Sequence, residues 1–243
     1  MIYALLLGRK GSKGYVGKNT AIVLRHPLAY YPMSAALYCE DVDKVYISTN
    51  DESLIGIARK IGVEVIVRPP ELCTDKALGE HAFVHGYKEI KKKNNNKKIE
   101  LIVLLFCNAP TITSKTISEG ITVLRENPDF DSAVTVSKYN MWSPLRARKI
   151  GNDGLLHPFV PFETFGDPKK LNCDRDSQGD VWFADMGVSI VRPRCLENLE
   201  NGLLPQKWMG QKIYPLKQWG GLDVDYEWQV PLVEYWLKKH GLG

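Results

Sequence analysis

The stretch KVYISTNDESLIGIARKIGVEVIV, residues 44–67, contains a strand, a helix and a second strand in direct succession. Residues 44–49 and 63–67 are short apolar, β-branched runs of strand length. Residues 52–62 carry apolar side chains at helical spacing. A strand, a helix and another strand in this order predict two parallel strands joined by a crossover helix.

The same alternation continues on both sides of this unit. It predicts further strands at 2–7, 101–106 and 132–136, and helices at 79–93 and 114–127. Such a pattern predicts an α/β fold with a mostly parallel sheet and helices on both faces. A length of 243 residues suffices for a single domain of this kind, and we find no internal repeat.

The pattern is less regular in three places. The first helix is predicted to begin at Pro27, with a kink or break at Pro32. A closing helix is predicted over about 226–240. Residues 139–183 lack the alternation altogether, and so long an irregular stretch within a compact domain indicates a functional or interfacial segment. We call residues 139–183 the inserted segment.

The composition argues against several kinds of partner. The net charge is +4, from 32 basic and 28 acidic residues, which is too balanced to indicate nucleic-acid binding. The five cysteines are odd in number and form no C-x-x-C pair, which favours a reduced, cytoplasmic compartment over a disulfide framework. No apolar stretch approaches the roughly 20 residues of a membrane span. The sequence therefore predicts a cytoplasmic protein with neither a nucleic-acid nor a membrane partner.

A basic, glycine-containing loop follows the first predicted strand: GRKGSKGYVGKN, residues 8–19, which we call the opening loop. It is not a Walker loop, because Asn19 stands where Ser or Thr is required, and it lacks the G-x-G-x-x-G spacing of dinucleotide-binding loops. Glycines let a backbone approach a polyphosphate, while Arg9, Lys13 and Lys18 would neutralise its charge and that of a leaving group. The loop lies at the carboxyl end of a predicted strand, where ligands of such sheets bind. A polyphosphate site is favoured, and a basic solvated loop is the alternative.

A pair of acidic residues lies near the C-terminus in GGLDVDYE, residues 220–227. In an extended segment Asp223 and Asp225 project to the same side, where their mutual repulsion would be relieved by a divalent cation. Mg²⁺ commonly takes one or two protein carboxylates together with substrate phosphates. In the alternative interpretation Asp225 caps the closing helix and Asp223 is merely exposed.

These motifs together resemble those of the CMP-sialic acid synthetases (acylneuraminate cytidylyltransferases). The opening loop is similar to the family's A-R-x-G-S-K-G-x-x-x-K-N. Residues 45–75 resemble its S-T-D-D/N-E stretch and the R-P-x-E-L-x-x-D segment that follows, and the Asp223–Asp225 region resembles its closing D-I-D-T-x-x-D-L. The resemblance covers most of the chain, is dense over residues 1–75 and weakens after Phe106.

The resemblance implies a Rossmann-like, three-layer fold of the nucleotide-diphospho-sugar transferase type. It implies that CTP and a sugar acid give a CMP-sugar and pyrophosphate, with Mg²⁺, in a homodimer that uses the inserted segment for dimerisation. The residues that it assigns to nucleotide binding are Arg9, Ser12, Lys13, Gly14, Lys18, Asn19, Arg68 and Ala77. Arg9, Lys18 and Asp223 are assigned to catalysis, and Asp223 and Asp225 to the metal.

The sequence departs from the family where the acceptor should bind. Phe106, Asn108 and Asp185 stand where the family usually has Gln, Thr and Pro. A pocket built around particular polar groups strongly rejects analogues that lack them, so N-acetylneuraminate is expected to be a poor acceptor. The residues predicted to contact the acceptor are Phe106, Asn108, Asp185, Arg146, Arg148 and Arg175, although the three arginines are equally compatible with a solvated loop.

Several acceptors and one different function stay open. The acceptor is a sialic-acid-like sugar acid, with a Kdo-like acid, a phosphonate or a phosphate monoester as alternatives. A protein of another class would keep the fold as a non-catalytic nucleotide-binding subunit. The presence of Arg9, Lys18 and both aspartates argues against that class, because binding alone does not require the full set.

Overall fold

The structure, a computed structural model, describes residues 1–11, 14–174 and 179–242. The strands within these residues are β1 (Ile2–Leu7), β2 (Ile22–Val23), β3 (His26–Pro27), β4 (Lys44–Thr49), β5 (Glu64–Val67), β6 (Leu101–Phe106), β7 (Ser132–Lys138), β8 (Arg148–Ile150), β9 (Leu156–Pro158), β10 (Trp182–Val191) and β11 (Ile213–Gln218). The α-helices are α1 (Tyr30–Leu37), α2 (Glu52–Lys60), α3 (Gly79–Lys93), α4 (Ser114–Glu126), α5 (Pro193–Glu197) and α6 (Val230–Lys239). No helix in the described ranges has both the length and the apolar character needed to cross a membrane.

Seven of the described strands form one sheet, in the order β11-β7-β10-β6-β1-β4-β5. Strand β1 pairs in parallel with β4 and β6, β4 pairs in parallel with β5, and β7 pairs in parallel with β11. Strand β10 runs antiparallel to both of its neighbours, β6 and β7. The predicted mostly parallel sheet is therefore confirmed, with β10 as an antiparallel member.

The central strand β1 is buried on both faces, which explains its uninterrupted apolar sequence IYALLL. Successive side chains of a strand point to opposite faces. On one face Leu6 belongs to a core with Met33 of α1 and with residues of α2 and α4. On the other face Leu5 belongs to a core with Phe83 of α3 and with residues of α5. Helices thus cover both faces, and the predicted three-layer architecture is confirmed.

The predicted start of the first helix is wrong. Pro27 lies in the two-residue strand β3, which pairs antiparallel with β2, and α1 begins only at Tyr30. Pro32 consequently falls in the first turn of α1. Backbone N–H groups have no intrahelical partner there, so a proline neither breaks nor kinks the helix. Pro231 occupies the equivalent place in α6, which begins at Val230.

The inserted segment leaves the sheet after β7 and returns to it as the start of β10. Its described part consists of short 3₁₀ turns and the antiparallel hairpin of β8 and β9. It carries large apolar side chains that are mostly exposed, including Trp142, Ile150, Leu156 and Phe159. Its role in dimerisation stays a prediction.

Two helical glycines offer a matched test of the packing between α3 and β1. A methyl group at Gly86 would lie 2.6 Å from Cδ2 and 3.3 Å from Cγ of Leu5, whereas a methyl group at Gly56 in α2 would meet no atom within 4 Å. We expect Gly56→Ala to raise the free energy of unfolding by about 0.5–1 kcal/mol, because alanine favours a helix. Gly86→Ala makes the same helical gain, but overpacking should remove about 1–3 kcal/mol, so the protein is destabilised. Urea denaturation of both variants measures the difference, and equal stabilisation by both would contradict the close packing of α3 on β1.

Candidate active site

A cavity of about 410 Å³ opens at the carboxyl ends of β1 and β6. The opening loop forms one wall and the start of α3 forms a second. Asp225 and Tyr226 form a third, at the end of residues 220–226, which we call the closing segment. The predicted site residues that line the cavity are Arg9, Gly14, Lys18, Asn19, Arg68, Ala77, Phe106, Asn108 and Asp225. The fold therefore brings together residues from five separate stretches of the sequence.

The entry into the opening loop is fixed by Gly8. A methyl group there would lie 2.5 Å from Leu54 Cδ1 and 2.7 Å from Cys107 Sγ, so a larger residue would clash with two buried side chains. The Gly8 N–H also donates to the carbonyl of Ser48, at the end of β4. The chain is thereby held close to the sheet edge as it leaves β1.

Arg9 joins the opening loop to the segment that follows β5. Its Nη2 lies 2.7 Å from Asp75 Oδ1, and its Nη1 donates to the Cys73 carbonyl at 3.5 Å. About one third of the Arg9 side chain stays exposed. The guanidinium is consequently oriented at the cavity rim while it remains open to a ligand.

Lys18 joins the opening loop to the closing segment. It begins a short 3₁₀ turn, Lys18–Thr20, and its Nζ forms an ion pair with Asp225 Oδ1. The Lys18 side chain is only 13% exposed, whereas that of Asp225 is 57% exposed. Nearby, a methyl group at Gly14 would lie 2.4 Å from the Asp225 carbonyl oxygen. The two walls therefore touch at two points, and only glycine fits at the second.

The closing segment is held to the sheet by hydrogen bonds from residues that follow β6. Thr111 Oγ1 donates to the Leu222 carbonyl at 3.0 Å and accepts from the Leu222 N–H at 2.9 Å. The Val224 N–H donates to the Asn108 carbonyl at 2.8 Å. The side-chain Nδ2 of Asn108 donates to the Val224 carbonyl at 3.1 Å and to Asp223 Oδ2 at 3.2 Å. Asn108, predicted to face the acceptor, thus directs its amide N–H groups to the closing segment.

The two aspartates lie within each other's electric field. Burial raises the pKa of Asp223 above its usual value, and the charge of Asp225 raises this pKa further, while Lys18 and Asn108 oppose the shift. The alternative in which Asp225 caps the closing helix does not hold, because the 3₁₀ turn Glu227–Gln229, whose N-cap residue is Tyr226, leads directly into α6. The Asp225 N–H donates instead to Gln229 Oε1, at 2.7 Å. Both side chains are thus available for a role other than helix capping.

This donor set fits a magnesium ion that takes most of its ligands from a nucleotide. Among the described residues no group of three or more His, Cys, Asp or Glu side chains could hold a metal. Asp223 and Asp225 supply hard carboxylate oxygens, and burial together with the nearby charge of Asp225 raises the pKa of Asp223. Two protein carboxylates completed by phosphate and water oxygens match the way in which Mg²⁺ is commonly bound.

Arg68 lies deep in the cavity. It is 5% exposed, and its Nε and Nη2 donate to the hydroxyl and the carbonyl of Ser48 at 3.1 and 2.5 Å. Burial lowers the pKa of its guanidinium. Ala77 and the apolar side chains of Leu72 and Leu78 line the same cavity. This end combines one fixed cation with apolar walls, which suits a planar polar ring.

Three predicted acceptor residues are not brought to this cavity. Asp185 does not line it, and its 5% exposed carboxylate accepts hydrogen bonds from Ser137 and Gln218 inside the domain. The structure thus places Asp185 outside the cavity, with its bonding partners beneath the closing segment, and its predicted contact with the acceptor gains no support from this position. Arg146 and Arg148 line a separate depression of about 480 Å³ in the inserted segment. Ser12, Lys13 and Arg175 lie outside the described residues.

Sequence reasoning missed Tyr226. This residue lines the cavity, is 55% exposed, and has its ring nearly parallel to that of Trp228, with 6.5 Å between the ring centroids. A methyl group at Gly14 would lie 3.6 Å from Tyr226 Cε1, so the ring also borders the opening loop. Its position directly after Asp225 was the available signal.

Comparisons with known proteins identify the family of this chain. Residues 3–150 match the family model described as cytidylyltransferase. An N-acylneuraminate cytidylyltransferase of Escherichia coli is 30% identical over 139 residues, which are 57% of this chain and 32% of that protein. One from Oncorhynchus mykiss is 24% identical over 233 residues, which are 94% of this chain and 49% of that protein. The chain thus spans about half or less of the length of these curated relatives.

Solved structures share the fold. One is a CMP:2-keto-3-deoxy-manno-octonic acid synthetase complexed with CTP, at a TM-score of 0.67 and 14% identity, with 98% of this chain and 99% of that chain covered. Another is a 4-diphosphocytidyl-2C-methyl-D-erythritol synthase from Anaerococcus prevotii, at a TM-score of 0.63 and 12% identity, with 98% and 96% covered. Because the family match extends over more than half of its residues, the chain belongs to the cytidylyltransferase family.

Proposed function

We propose that the protein transfers the CMP group of CTP to a small acidic acceptor of the sugar-acid class and releases pyrophosphate. The observation that carries this proposal is the ion pair of Lys18 with Asp225 at a cavity on the carboxyl edge of the sheet, which Arg9 also lines. Asp223 does not line the cavity itself, but it lies within the electric field of Asp225 and Lys18 and accepts a hydrogen bond from Asn108, which does. Cations that can bind a triphosphate, together with carboxylates that can bind a metal, are the groups that phosphoryl-type transfer uses. Membership of the cytidylyltransferase family supports CTP as the donor.

The nucleotide would lie along the cavity between the opening loop and the start of α3. Arg9 and Lys18 would hold the phosphates near the rim, where both side chains contact acidic partners that a more highly charged ligand can displace. Arg68 and Asn19, which are 5% and 6% exposed, would contact the nucleoside at the deep end. A volume of about 410 Å³ lies within the usual range of small-molecule sites.

Asp223 and Asp225 would hold a magnesium ion together with the triphosphate. When bound, the ion would neutralise charge on the phosphate oxygens and on the departing pyrophosphate. The ion pair between Lys18 and Asp225 would then be exchanged, so that the Lys18 ammonium is free to contact phosphate. The protein itself mainly positions the reactants and stabilises the developing charge, as in other phosphoryl transfers.

In the reaction, an acceptor hydroxyl oxygen forms a bond to the α-phosphorus of CTP and releases its proton to solvent. The bond between the α-phosphorus and the oxygen that bridges to the β-phosphate breaks, and its electron pair leaves with pyrophosphate. Arg9 and Lys18 would stabilise that leaving group electrostatically.

The acceptor would bind beside Phe106. This residue lines the cavity and packs edge-on against Phe83 and Trp208, at centroid distances of 5.2 and 6.2 Å. Aromatic packing at a position where the resembled enzymes usually have a polar glutamine favours an acceptor that is less polar at this point than N-acetylneuraminate. A differently substituted nonulosonic acid fits best, and a Kdo-like acid, a phosphonate or a phosphate monoester are the alternatives to be tested.

We further propose that the active form is a homodimer that uses the inserted segment. The exposed side chains of Trp142, Ile150, Leu156 and Phe159 support an interface there, because so many large apolar groups on one segment are costly in water.

Pyrophosphate release tests the proposed reaction directly. With Mg²⁺ and a panel of sugar acids, phosphonates and phosphate monoesters, we expect release from CTP and much less from ATP or GTP. N-acetylneuraminate should have a kcat/KM about a hundredfold below that of the best acceptor, because one mismatched polar group in a specific pocket has an effect of this size. Binding of CTP without release for any acceptor would identify a nucleotide-binding subunit instead. Equal use of a purine triphosphate would overturn the assignment of the base.

Asp223→Asn should separate stability from activity. Because the folded-state pKa of Asp223 is raised, its ionisation opposes folding, and this destabilisation develops as the pH rises above the ordinary Asp pKa of about 4. In metal-free buffer at pH 7 the variant should therefore have a higher Tm than the wild type, and the difference should shrink towards pH 4. The same variant should show no turnover with Mg²⁺. A lower Tm at pH 7, or full activity, would contradict the interpretation of this carboxylate.

Phe106→Gln tests the acceptor assignment. Introducing the side chain that is usual in the resembled enzymes should raise kcat/KM for N-acetylneuraminate relative to the best acceptor by about fivefold, since one added hydrogen bond contributes about 1 kcal/mol. The KM for CTP should change little. Phe83→Leu, which alters the same aromatic cluster from behind, provides a packing control, and an equal shift in that variant would show that the effect arises from packing alone.

A further inference from the structure

We infer that Asp185 is a positioning residue that holds the closing segment in place and thereby determines where Asp223 and Asp225 lie. Its significance for metal binding rests on the proposed function, whereas its effect on the closing segment does not. No contact of Asp185 with nucleotide, metal or acceptor is involved.

The Asp185 carboxylate is the centre of a buried hydrogen-bond network. Its Oδ2 accepts from the Ser137 hydroxyl at 2.6 Å and from Gln218 Nε2 at 2.9 Å, and its Oδ1 accepts from the Gly187 N–H at 3.1 Å. Its 5% exposure leaves little room for solvent to replace these partners. All three partners donate, so both oxygens of the carboxylate are used as acceptors.

Two of these partners lead directly to the closing segment. The Ser137 hydroxyl accepts from the Gly221 N–H at 2.8 Å while it donates to Asp185. Gln218 Nε2 also donates to the Thr111 carbonyl at 3.1 Å, and the Thr111 hydroxyl forms the pair of bonds to Leu222. The carboxylate is therefore connected to Gly221 through the Ser137 hydroxyl, and to Leu222 through Gln218 and Thr111.

The closing segment also packs directly on this network. A methyl group at Gly221 would lie 2.3 Å from Asp185 Oδ2 and 2.4 Å from Gln218 Nε2. On the other side of Gly221, the Tyr139 hydroxyl donates to its carbonyl at 2.8 Å. Gly221 is thus fixed at its N–H, its carbonyl and its Cα immediately before the two aspartates.

The backbone of β10 is distorted where Asp185 is placed. The pairing between β10 and β7 shifts register between Ala184 and Ser189. Met186 has a φ of 62°, in the left-handed region that non-glycine residues rarely adopt. Strained backbone of this kind persists where the surrounding structure requires it, commonly at functional sites. Here the distortion accompanies a carboxylate that faces the closing segment.

The simpler alternative is that Asp185 only attaches β10 to β7, as a buried polar group that contributes to global stability. The two interpretations differ in what a conservative change should do. Asp185→Asn keeps the shape, but its amide nitrogen must face one of three donors, so the bonds beneath Gly221 are weakened. Ile190→Val, at a fully buried position of the same strand, lowers stability without touching this network.

The experiment compares these two variants with the wild type by amide hydrogen exchange and by Mn²⁺ binding in the presence of CTP. For Asp185→Asn we expect faster exchange of the Leu222 and Val224 amides and an increase of about tenfold in the Kd for Mn²⁺, the effect typical of groups that orient metal ligands. In Ile190→Val the Leu222 and Val224 amides should exchange no faster, relative to the slowest-exchanging amides of β1, than they do in the wild type. The Kd for Mn²⁺ should also be unchanged in this variant. A Tm measurement on each variant accounts for global destabilisation.

Uniform acceleration of exchange across the sheet in Asp185→Asn, with unchanged Mn²⁺ affinity, would overturn the proposal in favour of the simpler alternative. Failure of the proposed function would show differently, as a wild-type protein that binds neither CTP nor Mn²⁺. In that case local acceleration at Leu222 and Val224 would still support the positioning role of Asp185, and its absence would refute that role.

Discussion

The hydrogen bonds between the residues that follow β6 and the backbone of the closing segment are the constraint on which the rest of the site depends. The sheet and its helices provide an edge, and the third wall of the cavity, formed by Asp225 and Tyr226, is in place only when residues 221–224 lie across that edge. Asn108 and Thr111 hold them there by bonding to backbone atoms of Leu222 and Val224. The position of Asp225, and hence its ion pair with Lys18, follows from these bonds. Hydrogen bonds are directional, so these bonds both attach the closing segment to the sheet edge and fix its position there.

Much of the fold could be predicted because it depends on burial patterns that are local in the sequence. Strands 44–49 and 101–106 and helix 79–93 have the predicted bounds. The first helix was misplaced because a proline near a helix start has the same local signature whether it lies before the helix or within its first turn. The pairing of β2 with β3 places Pro27 in a strand and so delays the start of α1, and sequence periodicity does not reveal this pairing.

The nucleotide end of the candidate site could be predicted from the sequence better than the acceptor side. The residues around the nucleotide end fall in short motifs, and the cavity is lined by Arg9, Lys18 and Arg68 from these motifs. The acceptor side has no such motif. A residue that differs from the one usual in the resembled family does not reveal where its own side chain points. Asp185 illustrates this limit, because a register shift within β10 directs its carboxylate to Ser137 and Gln218 rather than to the cavity.

The contact between Lys18 and Asp225 joins residues that are 207 positions apart in the chain. On a ribosome the first parallel strands can therefore associate long before the nucleotide site is complete. A site assembled from residues so far apart in the sequence also reports on its own maturation, because partly synthesised or partly unfolded chains lack one wall. Contacts of such long range form late and slowly. A ligand that bridges them would selectively stabilise the finished protein against proteases and chaperones that act on incomplete forms.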